Sequence, residues 1–254
     1  MCSSDLAFRE REAILDLFEE ITGDRLMYAY FRPGGLAWEV TDNFEARVAE
    51  VLKSARQGIK DMDGLLTENE VFRARTQNIG IISAADAIDW GCTGPVLRAS
   101  GVPMDLRRTE PYLKYPEVEF DVVTGKVGDT YDRWLVRVEE MRQSVRILDQ
   151  AVKRLPDGPV NVDDPRIILP PKHKATSEME SMIHHFKNVM EGPRPPIGEA
   201  YVAVESPKGE KGYYMVSDGT SKPARWRIRP PSYVNLSAIP KMVDRKSTRL
   251  NSSH

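Results

Sequence analysis

Apolar residues along the chain follow two rhythms, one returning every three to four positions and one every second position. Over residues 8–22, Ile14, Leu17, Phe18 and Ile21 fall on one helical face and Gly23 follows them, which predicts a helix with a glycine stop. "RLMYAYFRPGGLAWEV" is aromatic-rich and alternating, which predicts a strand entering a Pro33-Gly34-Gly35 turn. Asp42-x-x-Glu45 has the form of a capping box ahead of Phe44, Val48, Val51, Leu52, Ala55 and Ile59, predicting a second helix to about residue 60. Shorter helices are expected near 68–75 and 84–90, the latter opened by Ser83-x-x-Asp86 and closed by Gly91.

The most sustained stripe is Tyr131, Leu135, Val138, Met141, Val145, Leu148, Val152 and Leu155, at spacings of three and four. It predicts a long helix packed along one face and stopped by Pro156-Asp157-Gly158-Pro159. A proline-rich connection runs through Pro170-Pro171, and Ser177-x-x-Glu180 then precedes Met179, Met182, Ile183, Phe186, Val189 and Met190 in helical spacing. After "GPRPPIG" the rhythm changes to alternation, with strands at about 199–205, 212–217 and 224–229; the first two flank a turn at Lys208-Gly209-Glu210-Lys211-Gly212. Helices first and a small antiparallel sheet last describe an α+β protein with a mainly helical core. No internal repeat is visible.

Composition narrows the functional classes. The 254 residues carry 41% hydrophobic and 29% charged side chains and a net charge of −2, the balance of a globular protein with no overall attraction for nucleic acid or anionic lipid. No apolar run approaches the ~20 residues of a membrane span. Two cysteines, Cys2 and Cys92, make neither a disulfide framework nor a four-thiolate metal site. There is no G-x-G-x-x-G after a strand, no phosphate loop with its lysine, no C-x-x-C and no H-E-x-x-H.

What chemistry remains is mostly charge. His184 and His185 are adjacent on a predicted helix and diverge by about 100°, so they do not chelate one ion; hydrogen-bonded histidines within or beside the core are the expectation. Cys92 in "WGCTGP" reads as a small buried residue. In Arg225-Trp226-Arg227-Ile228-Arg229, strand alternation predicts that Trp226 and Ile228 point inward and the arginines outward, to solvent or to a partner. "GDTYDRWLVRVEEMRQS" is the densest constellation: Asp129, Asp132, Arg133, Arg137 and Glu140, the last three on one helix side. A solvated face and a paired network at a subunit interface explain it equally well.

Several segments together carry a resemblance. "REREAILDLFEEITGDRL", "YFRPGG", "NIGIISAADAIDWGCTGPVLRASGV", "DLRRTEPY", "VEFDV", "GDTYDRWLVRVEEMRQS", "MESMIHHFK" and "VESPKGEKGYYMVSDGTSKP" resemble, in order, the D-subunit family of proton-pumping NADH–quinone oxidoreductase, respiratory complex I. The resemblance implies a fold like the Ni–Fe hydrogenase large subunit, with the hairpin bracing an old active-site cavity that now takes quinone. It implies that Phe8, Leu26 and Met27 lie near that cavity or the terminal iron–sulfur cluster, with the latter two on a strand. Arg32, Asp105, Arg107, Asp129, Arg133, Arg137, Glu140 and Glu205 would be structural or subunit-interface charges. No catalytic residue and no metal is expected here, since the family's headgroup histidine and tyrosine precede residue 7 and its C-terminal quinone segment follows residue 243. Many members carry histidine where this chain has Met27. Methionine neither titrates nor donates a hydrogen bond, which implies a cluster harder to reduce and less sensitive to pH, and a low-potential acceptor such as menaquinone.

The resemblance further implies partners: the subunit holding the terminal cluster, the 30-kDa-like C-subunit and the membrane-arm H-subunit, with FMN, NADH and the iron–sulfur clusters all in partner subunits and no nucleic acid. The chain would sit peripherally on the cytoplasmic face of a bacterial plasma membrane as part of an oxidoreductase and translocase, inactive by itself. "MCSSDL", residues 1–6, and "DRKSTRLNSSH", residues 244–254, look like the two strands of a translated sequencing adapter, leaving 7–243 as a partial D-subunit domain. Two related readings stay open, a membrane-bound Ni–Fe hydrogenase large subunit and a complex I relative fed by ferredoxin or a deazaflavin. The hydrogenase would require two cysteine pairs near the ends of the complete protein.

Overall fold

Helix α1 (Ser3–Thr22) stops where Gly23 takes φ +77° and its N–H reaches Glu19 O at 2.8 Å, as its sequence predicts. The structure is a computed structural model that describes residues 3–243. Of the two adapter-like ends, residues 244–254 and the first two residues lie outside that range, and α1 begins at Ser3.

The strand expected next shrinks to a minimal hairpin, β1 (Phe31–Arg32) against β2 (Gly35–Leu36). Leu26 and Met27 are not in a strand: Met27 sits at φ +60°, left-handed backbone that ends any extended run. The hairpin is tied instead to a later segment, through Leu36 N–H to Val160 O (3.2 Å) and Val162 N–H to Gly34 O (3.0 Å). Helix α2 (Phe44–Met62) lacks the expected capping box; Asn43 occupies the N-cap without a side-chain bond, and Phe44 N–H turns back to Thr41 O at 2.9 Å. A π-helical turn over Asp63–Thr67 leads to α3 (Glu70–Thr76), capped by Asn69. Ser83 caps α4 (Ala84–Asp89) as predicted, its hydroxyl accepting from Asp86 N–H at 3.1 Å.

Two helices too short to show a period, α5 (Pro95–Ala99) and α6 (Leu106–Thr109), precede the long α7 (Thr130–Val152). The predicted stripe on α7 is buried at Val138 and open at Leu148, where α1, α2 and α7 leave an apolar cleft lined by Phe18, Val51, Met141 and Val145. Beyond the proline-rich connection, α8 (Lys172–Ser177) and α9 (Met179–Met190) follow. The Ser177 cap is not formed, because its hydroxyl donates back to His173 O at 2.9 Å and Glu178 takes the N-cap position of α9. The apolar residues of α9 face outward: Met179, Phe186 and Met190 are exposed.

The sheet has antiparallel order β3-β4-β5, with β3 (Gly198–Ser206), β4 (Gly209–Ser217) and β5 (Arg225–Arg229). The turn is tighter than expected. Ser206 pairs with Gly209, so only Pro207 and Lys208 connect the strands and the ladder runs on through Glu210 and Gly212. Helix α10 (Pro231–Ser237) follows the sheet, and a further helical stretch over residues 239–243 ends the described part of the chain. The main core joins Ile82, Ala87, Cys92, Val96, Leu97 and Ala238; a second cluster joins Leu17, Val48 and Leu52 across α1 and α2. This is the predicted α+β architecture.

Candidate functional site

Where the β3–β4 hairpin meets α5 and α7, a cluster of buried charges forms. Its centre is Arg98, on α5 and only 2% exposed. The guanidinium donates to Glu140 on α7 (2.7 Å), to Glu205 on β3 (2.9 Å) and to Met104 O (2.9 Å). Two carboxylates and a carbonyl thereby satisfy a charge that would cost several kcal/mol if buried alone. Burial pushes the Glu140 carboxyl up, and Arg98 opposes the shift.

Glu205 is held at both ends. Its backbone N–H donates to Tyr112 Oη at 3.1 Å, and its Oε2 accepts from Leu106 N–H at 3.4 Å. Asp105, fully buried, caps α6 through Arg107 N–H and pairs with the Arg107 guanidinium at 2.6 Å. Burial raises the Asp105 carboxyl, but the bonds from Arg107 outweigh it and the net shift is downward. The Arg107 guanidinium also lies 4.7 Å from the Phe120 ring centroid.

Backbone glycines let the hairpin tip approach this closely. A Cβ on Gly94 would stand 2.4 Å from Gly209 Cα, and one on Gly209 would stand 2.5 Å from Thr93 Oγ1. Asn235 on α10 closes the other side, accepting from Thr93 N–H at 3.0 Å and donating to Lys208 O at 3.0 Å. Arg229 donates to Gly91 O and to Glu210 O, both at 2.9 Å. Arg229 thus points into the structure and Trp226 and Ile228 are half-exposed, against the facing predicted for these three, whereas Arg225 and Arg227 are exposed as predicted. The reason is that the face bearing Arg229 also carries Glu205 and packs on the charge cluster.

Most of the α7 charges are bonded within the described residues and do not form a solvated face. Asp129 caps the helix through Asp132 N–H and also accepts from Asn78 N–H, both at 2.7 Å. Asp132 accepts from three successive N–H groups, at Lys126, Val127 and Gly128. Arg133 is buried and donates to Gly128 O (2.9 Å), Gly80 O (3.0 Å) and Thr130 Oγ1 (2.8 Å). Arg137 is half-buried. Sequence reasoning missed Arg98; its signal is one arginine inside "TGPVLRASGV", where every neighbouring position is apolar or small.

The remaining predicted residues lie elsewhere. Phe8 is 54% exposed and carries the Arg11 guanidinium over its ring at 5.8 Å. Leu26 is 59%, Met27 98% and Phe31 81% exposed, so they form an open apolar loop. Arg32 donates to Ala29 O at 3.3 Å and lies 5.6 Å from the Trp38 ring; it has no ion pair among the described residues. His184 is half-buried and 4.0 Å from Glu180, while His185 is exposed on the α9 surface. Cys92 is buried, and burial pushes its thiol up. Among the described residues no group of three or more His, Cys, Asp or Glu side chains is placed to hold a metal.

The family described as "Respiratory-chain NADH dehydrogenase, 49 Kd subunit" matches residues 1–248. The NADH-quinone oxidoreductase D-subunit of Ehrlichia chaffeensis is 49% identical over 236 residues, which cover 93% of this chain and 60% of that protein. The D-subunits of Citrifermentans bemidjiense and of Geobacter sulfurreducens are each 51% identical over 237 residues, 93% of this chain and 61% of theirs. The chain therefore spans about three fifths of the length of the curated relatives it matches. Family match and identity over nearly the whole chain agree: the chain belongs to the 49 kDa subunit family of respiratory-chain NADH dehydrogenase.

Proposed function

We propose that this chain is a scaffold and wall subunit of an NADH–quinone oxidoreductase, and that its part of the quinone site is the loop from Leu26 to Phe31. The single observation that supports the reading is the exposure of that loop. Three large apolar side chains, Leu26, Met27 and Phe31, stand open to solvent on a backbone that Met27 holds at φ +60°. Such a patch fits an apolar ligand only when a second surface covers it, which suits a site shared between subunits.

Quinone, when bound, supplies two-electron acceptor chemistry. This chain's residues would contact its apolar parts and exclude water. The hairpin and the Arg98 cluster would keep the neighbouring wall rigid. No proton donor from the described residues is assigned to the acceptor. Met27, which does not titrate, would leave the potential of the partner subunit's terminal cluster only weakly dependent on pH and would suit a low-potential acceptor such as menaquinone. The 30-kDa-like C-subunit and the membrane-arm H-subunit are the further proposed neighbours. None of the described helices is long and apolar enough to cross a membrane, so attachment on the cytoplasmic face would run through partners. A redox titration of the terminal cluster in the assembled complex tests the reading: a potential that shifts strongly with pH in the wild type counts against it.

A further inference from the structure

The sheet is braced on one side and open on the other. At the braced side, β3 is held from outside: Glu205 N–H donates to Tyr112 Oη at 3.1 Å, and α6 packs on the strand. At the open side, the order β3-β4-β5 leaves the outer edge of β5 without a neighbouring strand. Among the described residues the backbone groups on that edge of Arg225–Arg229 pair with nothing, which makes them a template for a further strand.

Register sorts the side chains at this edge onto two faces. Arg225, Arg227 and Arg229 share a face with Glu199, Glu205 and Glu210. All three carboxylates are engaged: Glu199 accepts from Tyr214 Oη at 2.5 Å, Glu205 from Arg98 at 2.9 Å and Glu210 from Tyr201 Oη at 2.6 Å. Arg225 and Arg227 are exposed and make no hydrogen bond or ion pair among the described residues. On the opposite face two apolar rows cross the sheet, Ala200-Met215-Trp226 and Val202-Tyr213-Ile228, and both end on half-exposed side chains at the β5 edge. Arginines alone are the ordinary guard of an edge strand, since charge discourages pairing. A guard has no use for a tryptophan and an isoleucine beside it. Unpaired arginines with open aromatic and aliphatic side chains are the composition of a binding surface.

We infer that the outer edge of β5 takes an extended acidic segment of another polypeptide as an added strand of this sheet. Main-chain bonds along the edge supply the pairing, and the two-residue period of a strand fixes the partner's pattern. Carboxylates stand at alternate positions across from Arg225 and Arg227, and apolar side chains between them extend the rows that end at Trp226 and Ile228. Charge complementarity selects the partner: the face offers two open guanidinium groups and no free carboxylate. This surface is separate from the loop at residues 26–31 and does not depend on the quinone reading.

The test uses the full-length subunit and, as probe, a capped, dye-labelled octapeptide that alternates glutamate and valine, read by fluorescence anisotropy. Saturable binding is expected, weakened roughly tenfold in the double variant Arg225→Glu, Arg227→Glu, with the melting temperature unchanged. A block peptide of the same composition, all glutamates before all valines, should also bind roughly tenfold more weakly. Backbone methylation separates strand addition from a contact of charges alone. Glutamate and valine nitrogens point to opposite edges of the probe, so N-methylation of one set should abolish binding and of the other set should spare it. Equal binding of the alternating and block peptides, equal loss with both methylated sets, or no response to the arginine substitutions overturns the inference. Absence of binding overturns it too, and amides at residues 225–229 already protected from hydrogen exchange would then identify the subunit's own polypeptide as the cover. None of these readouts needs an assembled complex, so their failure and a failure of the quinone-site reading are distinguishable.

Discussion

Arg98 Nη1 lies 2.9 Å from Glu205 Oε1, joining α5 to the hairpin across 107 positions of sequence. The same guanidinium holds Glu140, so one side chain fixes the hairpin against both α5 and α7. Its worth lies in positioning, because a buried ion pair contributes little net stability yet is costly to break on one side.

Removing Arg98 while leaving its carboxylates should therefore be severe. Arg98→Met is expected to cost about 3–5 kcal/mol in denaturant unfolding of the full-length subunit. The triple variant Arg98→Met, Glu140→Gln, Glu205→Gln should recover part of that loss, since it leaves no buried charge unpaired. A triple variant less stable than the single one would show that the cluster is not a charge-balanced unit.

The glycine contact makes a second, independent prediction. Gly94→Ala places a methyl 2.4 Å from Gly209 Cα at a backbone φ of +67°, so it is both strained and obstructed. A loss of about 2–4 kcal/mol is expected. Gly158→Ala, also at positive φ but with nothing within 4 Å, should cost about 1–2 kcal/mol. Equal costs in thermal melting would remove the close approach as the cause.

Acid should act on the cluster through Asp105. Its folded pKa is depressed below the ordinary aspartate value of about 3.9 by Arg107, so its stabilising contribution is present above that value and is lost as pH falls through the folded pKa. Asp105→Asn should lower stability at neutral pH. The gap between wild type and variant should then close as pH drops below about 4. A gap that stays constant down to acid unfolding would contradict the assignment.

Met27 offers a redox prediction. Met27→His introduces a titrating group on the most exposed position of the loop, so the terminal cluster of the assembled complex should become more pH-dependent and easier to reduce. Electron paramagnetic resonance titration at two pH values reads this directly. An unchanged slope would place Met27 away from the cluster.

The sequence made the large periodic elements legible and the contacts between them illegible. Helix α7, the Gly23 stop and the Ser83 cap follow from local spacing, which is why they appear where expected. Asp42 and Ser177 have the right spacing for caps but lose to nearer backbone acceptors and donors, and Arg229 turns inward because a distant cluster, not strand alternation, sets its face. Glu205 and Asp105 were candidates by resemblance. Arg98, which binds Glu205, gave only the weak signal of one charge in an apolar run.

Photolabelling of the assembled complex with a photoreactive quinone, followed by peptide mapping, tests the quinone-wall reading most directly. Labels on residues 26–31, suppressed by excess unmodified quinone, are the predicted result. Quinone-suppressible labels elsewhere in the complex with none on residues 26–31 would contradict it.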